Sequence, residues 1–307
     1  MIYTVTLNPS IDYIMRLDDL EFGETNRAKV TELYAGGKGI MVSKLLHNLD
    51  VKTQNIGFLG GFTGDYIEKL LDEMEILHDF TKINGNNRIN VKLKMNSETE
   101  VNALGPDISQ EELEDFYEKL SGIDGGIVSF SGSVAANMDK DIYIEMIKKL
   151  SSNTRFTLDT TGDVLLKSLD YNPLILKPNQ AELEEIYGDK FNSKEEIISY
   201  IKSTMIPKAK HVICSLGSDG AIFVSANNSF YIPIVKGEVI NSVGAGDSMV
   251  AGFIYAYMNE MSEEDMFKMA VASATATVFS YDMGEKDQIN EIFGKLKIIN
   301  MGENNGN

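Results

Sequence analysis

The chain has 307 residues and 34.0 kDa, with 43% hydrophobic and 24% charged residues, enough to bury the core of one large α/β domain. A formal charge of −18 and a pI near 4.6 argue against nucleic acid or an anionic membrane as partner, so an anionic small substrate has to be met by locally placed cations. The single cysteine, Cys214, precludes an internal disulfide, and His47, His78 and His211 are scattered without the spacing of a transition-metal site.

Residues 2–7 alternate as a strand that ends at Asn8-Pro9. After the loop Ala35-Gly36-Gly37-Lys38-Gly39, the positions Ile40, Val42, Leu45, Leu46 and Leu49 take helical spacing. A short strand over 54–59 runs into Gly60-Gly61, and 63–74 reads as a helix. From Arg88 onward, Ile89, Val91, Leu93 and Met95 alternate strictly with Asn90, Lys92, Lys94 and Asn96, with a turn near Asn96-Ser97. This pattern predicts a half-exposed antiparallel hairpin, which with the 11–34 region forms a small sheet projecting from the main body.

Beyond Gly105-Pro106 the elements alternate: helix 110–120, strand 126–131, helix 139–150, strands 155–159 and 174–177, then helices 180–187 and 194–202. Strand 211–215 and a hairpin over 220–235 follow, with Val239-Ile240 resuming the strand, and helices 247–258, 262–281 and 288–295 close the chain. Such alternation predicts a mostly parallel sheet covered on both faces, with ligands gathered at the carboxyl ends of the strands. The polar tail 301–307 is predicted to be disordered. No basic leader or run of about 18 apolar residues is present, so the expected location is the cytoplasm.

The segment Asn241-Ser242-Val243-Gly244-Ala245-Gly246-Asp247-Ser248 carries the strongest chemical signal. Gly244, Ala245 and Gly246 at a strand-to-helix turn let backbone N–H groups approach an anion, and Asp247 beside them is placed to accept a proton from an attacking hydroxyl. The bland alternative is that Asp247 caps the helix. Asp12, in Asn8-Pro9-Ser10-Ile11-Asp12, reads either as an acceptor for sugar hydroxyls or as an Asx turn. Gly37 and Lys38 offer N–H donors and an ammonium to a phosphate, in a loop that is not a Walker A frame. Ser215-Leu216-Gly217-Ser218-Asp219-Gly220 reads as a nucleotide-phosphate loop or as a plain hairpin turn. In Lys177-Pro178-Asn179-Gln180-Ala181-Glu182, Asn179 and Glu182 stand one helical turn apart, either organising Mg²⁺ through waters or opening a helix.

Taken in order, Gly36-Gly37-Lys38-Gly39, the Lys177–Glu182 stretch, Ser215-Leu216-Gly217 and Val243-Gly244-Ala245-Gly246-Asp247-Ser248 resemble the ribokinase-like carbohydrate kinases of the PfkB family. The resemblance spans essentially the whole chain and is strongest to the bacterial 1-phosphofructokinase group. Thr6-Leu7-Asn8-Pro9-Ser10-Ile11-Asp12-Tyr13, Gly60-Gly61-Phe62-Thr63-Gly64 and Arg88-Ile89-Asn90-Val91-Lys92-Leu93 carry that closer likeness.

It implies a three-layer α/β/α fold with a mostly parallel sheet plus a small β lid, residues 1–307 forming one kinase domain with lid strands from about 11–34 and 88–104. The implied activity is ATP-dependent phosphorylation of fructose 1-phosphate at its 6-hydroxyl, giving fructose 1,6-bisphosphate and ADP, with ATP and Mg²⁺ as cofactors. A tagatose-6-phosphate or fructose-6-phosphate kinase, or a catalytically impaired sugar-phosphate-binding regulator, are the alternatives. By the same resemblance Asp247 is the base and Gly244, Ala245 and Gly246 form the anion hole. Asp12, Arg27, Gly37, Lys38, Arg88 and Ser131 hold the substrate. Lys177, Asn179, Ser215, Gly217, Gly220 and Gly246 line the nucleotide, Asn179 and Glu182 serve the metal, and a homodimer forms through the lid. Met41 stands where the family usually has an Asn, and Val134-Ala135-Ala136-Asn137 where its relatives usually carry prolines.

Overall fold

The computed structural model describes residues 1–95, 98–139, 141–160 and 162–302. The turn expected at Asn96-Ser97 and the last five residues of the polar tail lie outside the described residues. The chain opens with β1 (Ile2–Thr6), β2 (Ser10–Arg16), β3 (Val30–Gly36), α1 (Lys38–Asn48), β4 (Thr53–Gly60) and α2 (Gly61–Glu73). Short strands β5 (Leu77–His78) and β6 (Thr81–Ile83), β7 (Arg88–Lys94), β8 (Glu98–Val101), α3 (Gln110–Ser121), β9 (Ile127–Ser131) and α4 (Ile142–Lys149) follow. Next come β10 (Arg155–Asp159), α5 (Asp163–Ser168), β11 (Ile175–Leu176), α6 (Gln180–Tyr187) and α7 (Lys194–Thr204). The chain closes with β12 (His211–Ser215), β13 (Ala221–Ser225), β14 (Ser229–Ile232), α8 (Ala245–Met258), α9 (Glu263–Val278), α10 (Lys286–Lys295) and β15 (Ile299–Asn300).

The large sheet runs β15-β14-β13-β12-β11-β10-β9-β1-β4-β5, with β6 also pairing β4. Its strands from β12 to β5 are parallel, and β13 to β15 add an antiparallel edge. Successive residues face opposite layers, as strand geometry requires. Val212 and Cys214 pack into a core with Phe116, Tyr143, Phe156 and Ile201, and Ile213 between them packs with Leu45, Phe253 and Phe267 on the other side. The carboxyl ends of β1, β9, β10 and β12 therefore line up at Thr6, Ser131, Asp159 and Ser215.

The small sheet has the order β3-β2-β7-β8 and stands over that edge. Its polarity differs from the simplest reading of the alternation. Asn90 and Lys92 are buried while Ile89 is 39% exposed and Val101 59% exposed, so the polar face turns inward and the apolar face outward. A second difference concerns Val239-Ile240, which form no strand: everything from Pro233 to Val243 is loop, so α8 is entered from a loop and not directly from a strand.

Candidate active site

A cleft of about 360 Å³ separates the small sheet from the carboxyl ends of the large one, and its lining includes Thr6, Asn8, Asp12, Gly37, Lys38, Met41, Arg88, Asn90, Lys92, Ser131 and Asp247. Four of these carry buried side-chain oxygens with no protein partner: Thr6 Oγ1, Asn8 Oδ1, Ser131 Oγ and Asp247 Oδ1. An unpartnered buried polar atom is costly, and four converging on one cavity mark a place built for a polar ligand.

Asp247 sits in the first turn of α8, whose N-cap is Gly244 at φ 82°. Only glycine adopts that backbone without strain, and no side chain closes this helix end, so Asp247 does not cap it. The free N–H groups of the first turn stay available to an anion. Burial, and next the charge of Asp159, push the Asp247 carboxyl up to about 7. It thus exchanges its proton near neutrality, as a general base must.

Asp159 ends β10 and is 5% exposed. Lys38 approaches its Oδ2 at 3.0 Å and Lys177 its Oδ1 at 3.2 Å. Burial opposes the Asp159 charge, but Lys177 and then Lys38 outweigh it and hold the carboxyl below the usual range. For Lys38, burial is likewise outweighed, by Asp159 and Asp247, and the ammonium is held above its ordinary value. Lys38 is therefore fixed as a cation beside Asp247.

On the small sheet, the Asp12 carboxylate is held from three sides. Ser10 Oγ donates to its Oδ1 at 2.7 Å, Asn90 Nδ2 donates to the same oxygen at 3.1 Å, and Lys92 Nζ stands 3.0 Å from Oδ2. Gly36 makes room for this carboxylate, because a Cβ there would lie 2.5 Å from Oδ1. Arg88 donates through Nε to the Asn8 carbonyl, through Nη1 to the Ala103 carbonyl and through Nη2 to Ser133 Oγ. Three of its five N–H groups are so used, and two remain.

The family model for pfkB family carbohydrate kinases matches residues 5–289. The chain belongs to that family. It is 39% identical to the 1-phosphofructokinase of Bacillus subtilis, covering 98% of this chain and 100% of that one. It is 40% identical to the 1-phosphofructokinase of Borreliella burgdorferi over 97% of this chain and 98% of that one. Among solved structures, a Staphylococcus aureus protein assigned as a phosphofructokinase superposes with a TM-score of 0.88 at 38% identity, covering 98% of this chain and 99% of that one.

Most residues expected at a family sugar-kinase site are brought together here, and two sets are placed differently. Arg27 is exposed in the loop between β2 and β3 and does not line the cleft of its own chain. Asn179 and Glu182 form a reciprocal capping box at the start of α6: Glu182 N donates to Asn179 Oδ1 at 2.9 Å and Asn179 N donates to Glu182 Oε2 at 2.8 Å. The helix-opening reading of this pair thus describes its geometry. No group of three His, Cys, Asp or Glu side chains able to hold a metal occurs among the described residues. The loops after β11 and β12 do lie side by side, through a backbone bridge between Asn179 and Ser215. Gly217 to Asp219 make a 3-10 turn inside the β12–β13 hairpin, with Leu216 N donating to the Gly220 carbonyl. Lys177 points from this side toward the α8 turn, its Nζ 3.2 Å from where a Cβ on Gly246 would lie.

Sequence reasoning missed Thr6, Asn8, Asn90, Lys92 and Asp159. The signal available for the first and last was their place at the carboxyl ends of β1 and β10. Met41, from α1, lines the cleft, with its Cε 3.1 Å from the position a Cβ on Gly244 would take.

Proposed function

We propose that this protein is an ATP-dependent 1-phosphofructokinase, transferring a phosphoryl group to the 6-hydroxyl of fructose 1-phosphate to give fructose 1,6-bisphosphate and ADP. The observation that carries the reading is the unpaired Asp247 Oδ1, titrating near 7, at the wall of a cleft that also holds Arg88 and Lys38. The names of the two bacterial relatives, each near 40% identical over almost its whole length, support the choice of sugar.

In this reading the existing phosphate lies against the two spare N–H groups of Arg88, Ser131 Oγ, Lys38 and the Gly37 backbone, while Asp12 accepts sugar hydroxyls. Asp247 takes the proton of the attacking 6-hydroxyl as the new P–O bond forms and the bond to the leaving ADP oxygen breaks. The N–H groups of Ala245, Gly246 and Asp247 stabilise the charge on the transferred group. Lys177, Asn179, Ser215, Gly217, Gly220 and Gly246 form the nucleotide side. Glu182 and Asn179 are half-exposed oxygen donors already engaged in a helix cap, which fits Mg²⁺ held mainly by nucleotide phosphates and waters and touched by these residues through water. When bound, that ion would neutralise phosphate charge.

The small sheet acts as the lid, and closing it excludes water from the transferred group. Its outward apolar face, with Leu33, Ile89 and Val101 exposed, suits a homodimer through paired lids. Arg27 keeps a place in substrate binding only in such an assembly, where a lid loop reaches beyond its own chain. No helix among the described residues is long and apolar enough to cross a membrane, in keeping with a cytoplasmic enzyme.

The test is Mg·ATP-dependent turnover on fructose 1-phosphate, fructose 6-phosphate and tagatose 6-phosphate, compared as kcat/KM. A clear preference for fructose 1-phosphate supports the assignment. Preference for another sugar moves it to that sugar, and calorimetric binding without turnover makes the protein a sugar-phosphate-binding regulator.

A further inference from the structure

The cleft has two chemically distinct ends along the inner face of β7. Arg88 opens the strand and spends three of its five N–H donors on two carbonyls and a hydroxyl, so its charge and two N–H groups are left for an anion. Lys92 is four residues further on, about 13 Å along the strand. Its side chain is 9% exposed and faces two carboxylates, Asp12 at 3.0 Å and Glu100 at 3.7 Å. A lysine so neutralised is a poor phosphate anchor. Its own geometry suits an uncharged polar group.

The lone pairs of Asp12 sharpen this. A carboxylate offers about four acceptor positions. On Oδ1 two are taken by Ser10 and Asn90, and Oδ2 faces Lys92 Nζ in an ion pair at 3.0 Å. Oδ2 keeps acceptor capacity directly beside an ammonium whose second carboxylate neighbour among the described residues, Glu100, stands at 3.7 Å and beyond hydrogen-bond range. An acceptor and a donor about 3 Å apart match two adjacent hydroxyls, one donating and one accepting.

We propose that Lys92 is a specificity-determining residue: with Asp12 Oδ2 it forms a donor–acceptor fork that grips two neighbouring hydroxyls of the bound ketohexose phosphate and distinguishes epimers at those carbons. The inference rests on the sugar-phosphate reading of the cleft. A site built to hydrogen-bond a hydroxyl rejects the misplaced one, because its buried donor and acceptor are then left unpaired. Ser10 and Asn90 hold the fork, and because Asp12 and Lys92 both sit on the small sheet, a correctly placed sugar is gripped by the lid itself.

The experiment is calorimetric titration, without nucleotide, of wild type, Lys92→Met and Lys92→Gln with fructose 1-phosphate and its C4 epimer tagatose 1-phosphate. Wild type should separate the epimers by about tenfold or more in Kd, Lys92→Met should weaken the preferred sugar by about tenfold and bring the two within about threefold, and Lys92→Gln, which keeps a donor, should retain part of the difference. An unchanged epimer ratio in Lys92→Met, or no discrimination by wild type, overturns the proposal. Circular dichroism establishes folding; if Lys92→Met is unfolded, Lys92→Gln decides, and an unchanged ratio there overturns it equally. Epimer discrimination in binding with no phosphoryl transfer on either sugar sinks the kinase assignment and leaves the fork standing, whereas no binding of either sugar sinks both.

Discussion

Nζ of Lys38 stands 3.0 Å from Oδ2 of Asp159, a carboxylate whose other oxygen faces Lys177 at 3.2 Å. One buried anion thus braces the lysine that opens α1 against the lysine that follows β11. We expect Asp159→Asn to lower stability by about 3 kcal/mol, the usual result of leaving a buried partner uncompensated, measured by urea unfolding. It also removes a negative charge that raises the Asp247 pKa, so the acid limb of the kcat profile should move to lower pH. An acid limb that stays in place would separate Asp159 from the base.

Asp247→Asn should reduce kcat by roughly 10²–10⁴-fold while nucleotide binding persists. It should also raise the thermal midpoint at pH 8. The folded-state pKa of about 7 lies above the ordinary 3.8, so ionising Asp247 penalises the folded state, fully above pH 7 and not at all below about 4. The gain from the amide should therefore shrink as the pH is lowered from 8 to 5. Calorimetric scans at the two pH values check the sign, and a gain that grows on acidification would refute the burial argument.

Arg88→Lys keeps the charge and loses the fork of N–H groups that ties Asn8, Ala103 and Ser133. KM for the sugar phosphate should rise about 10- to 100-fold, the worth of one or two charge-assisted hydrogen bonds, with KM for ATP unmoved. Equal rises in both would mean that Arg88 supports the lid and not the substrate.

Gly244→Ala places a methyl at φ 82°, 3.1 Å from Met41 Cε and 3.2 Å from Met283 Sδ. We expect about 1–2 kcal/mol of destabilisation from the left-handed backbone together with at least about tenfold loss of kcat as the α8 turn shifts. Gly294→Ala supplies the contrast: it lies in α10 with nothing within 4 Å of the added methyl and should stabilise by about 0.5–1 kcal/mol.

Much of the architecture is legible in the chain. The strands of the large sheet and the helical spacing from Ile40 to Leu49 fold as their periodicity predicts, whereas the glycine turn before Asp247 follows a loop and not the strand expected there. The lid shows where such reading stops. Alternation separates Asn90 and Lys92 from Ile89 and Val91, but it cannot tell which face is covered, and here a ligand cleft lies against the polar one. Asp159 was equally hidden: within Arg155–Asp159 it is one polar residue ending a strand, and its partners come from 121 and 18 positions away in sequence. Asn179 and Glu182 illustrate the opposite case, a spacing that fits two chemistries and whose hydrogen bonds form a helix cap.

The cleft has walls from two sheets that share no strand pairing: Arg88, Asp12 and Lys92 ride on the small one, Asp247, Lys38 and Ser131 on the rim of the large one. In the proposed reading, the contacts to the sugar hydroxyls thereby ride on the small sheet, while the base and the anion-binding turn belong to the large one. On that reading, substitutions along the two parallel strands β2 and β7 would retune which sugar is held while Asp247 and its turn stay unaltered, so a change of diet would require no reinvention of chemistry.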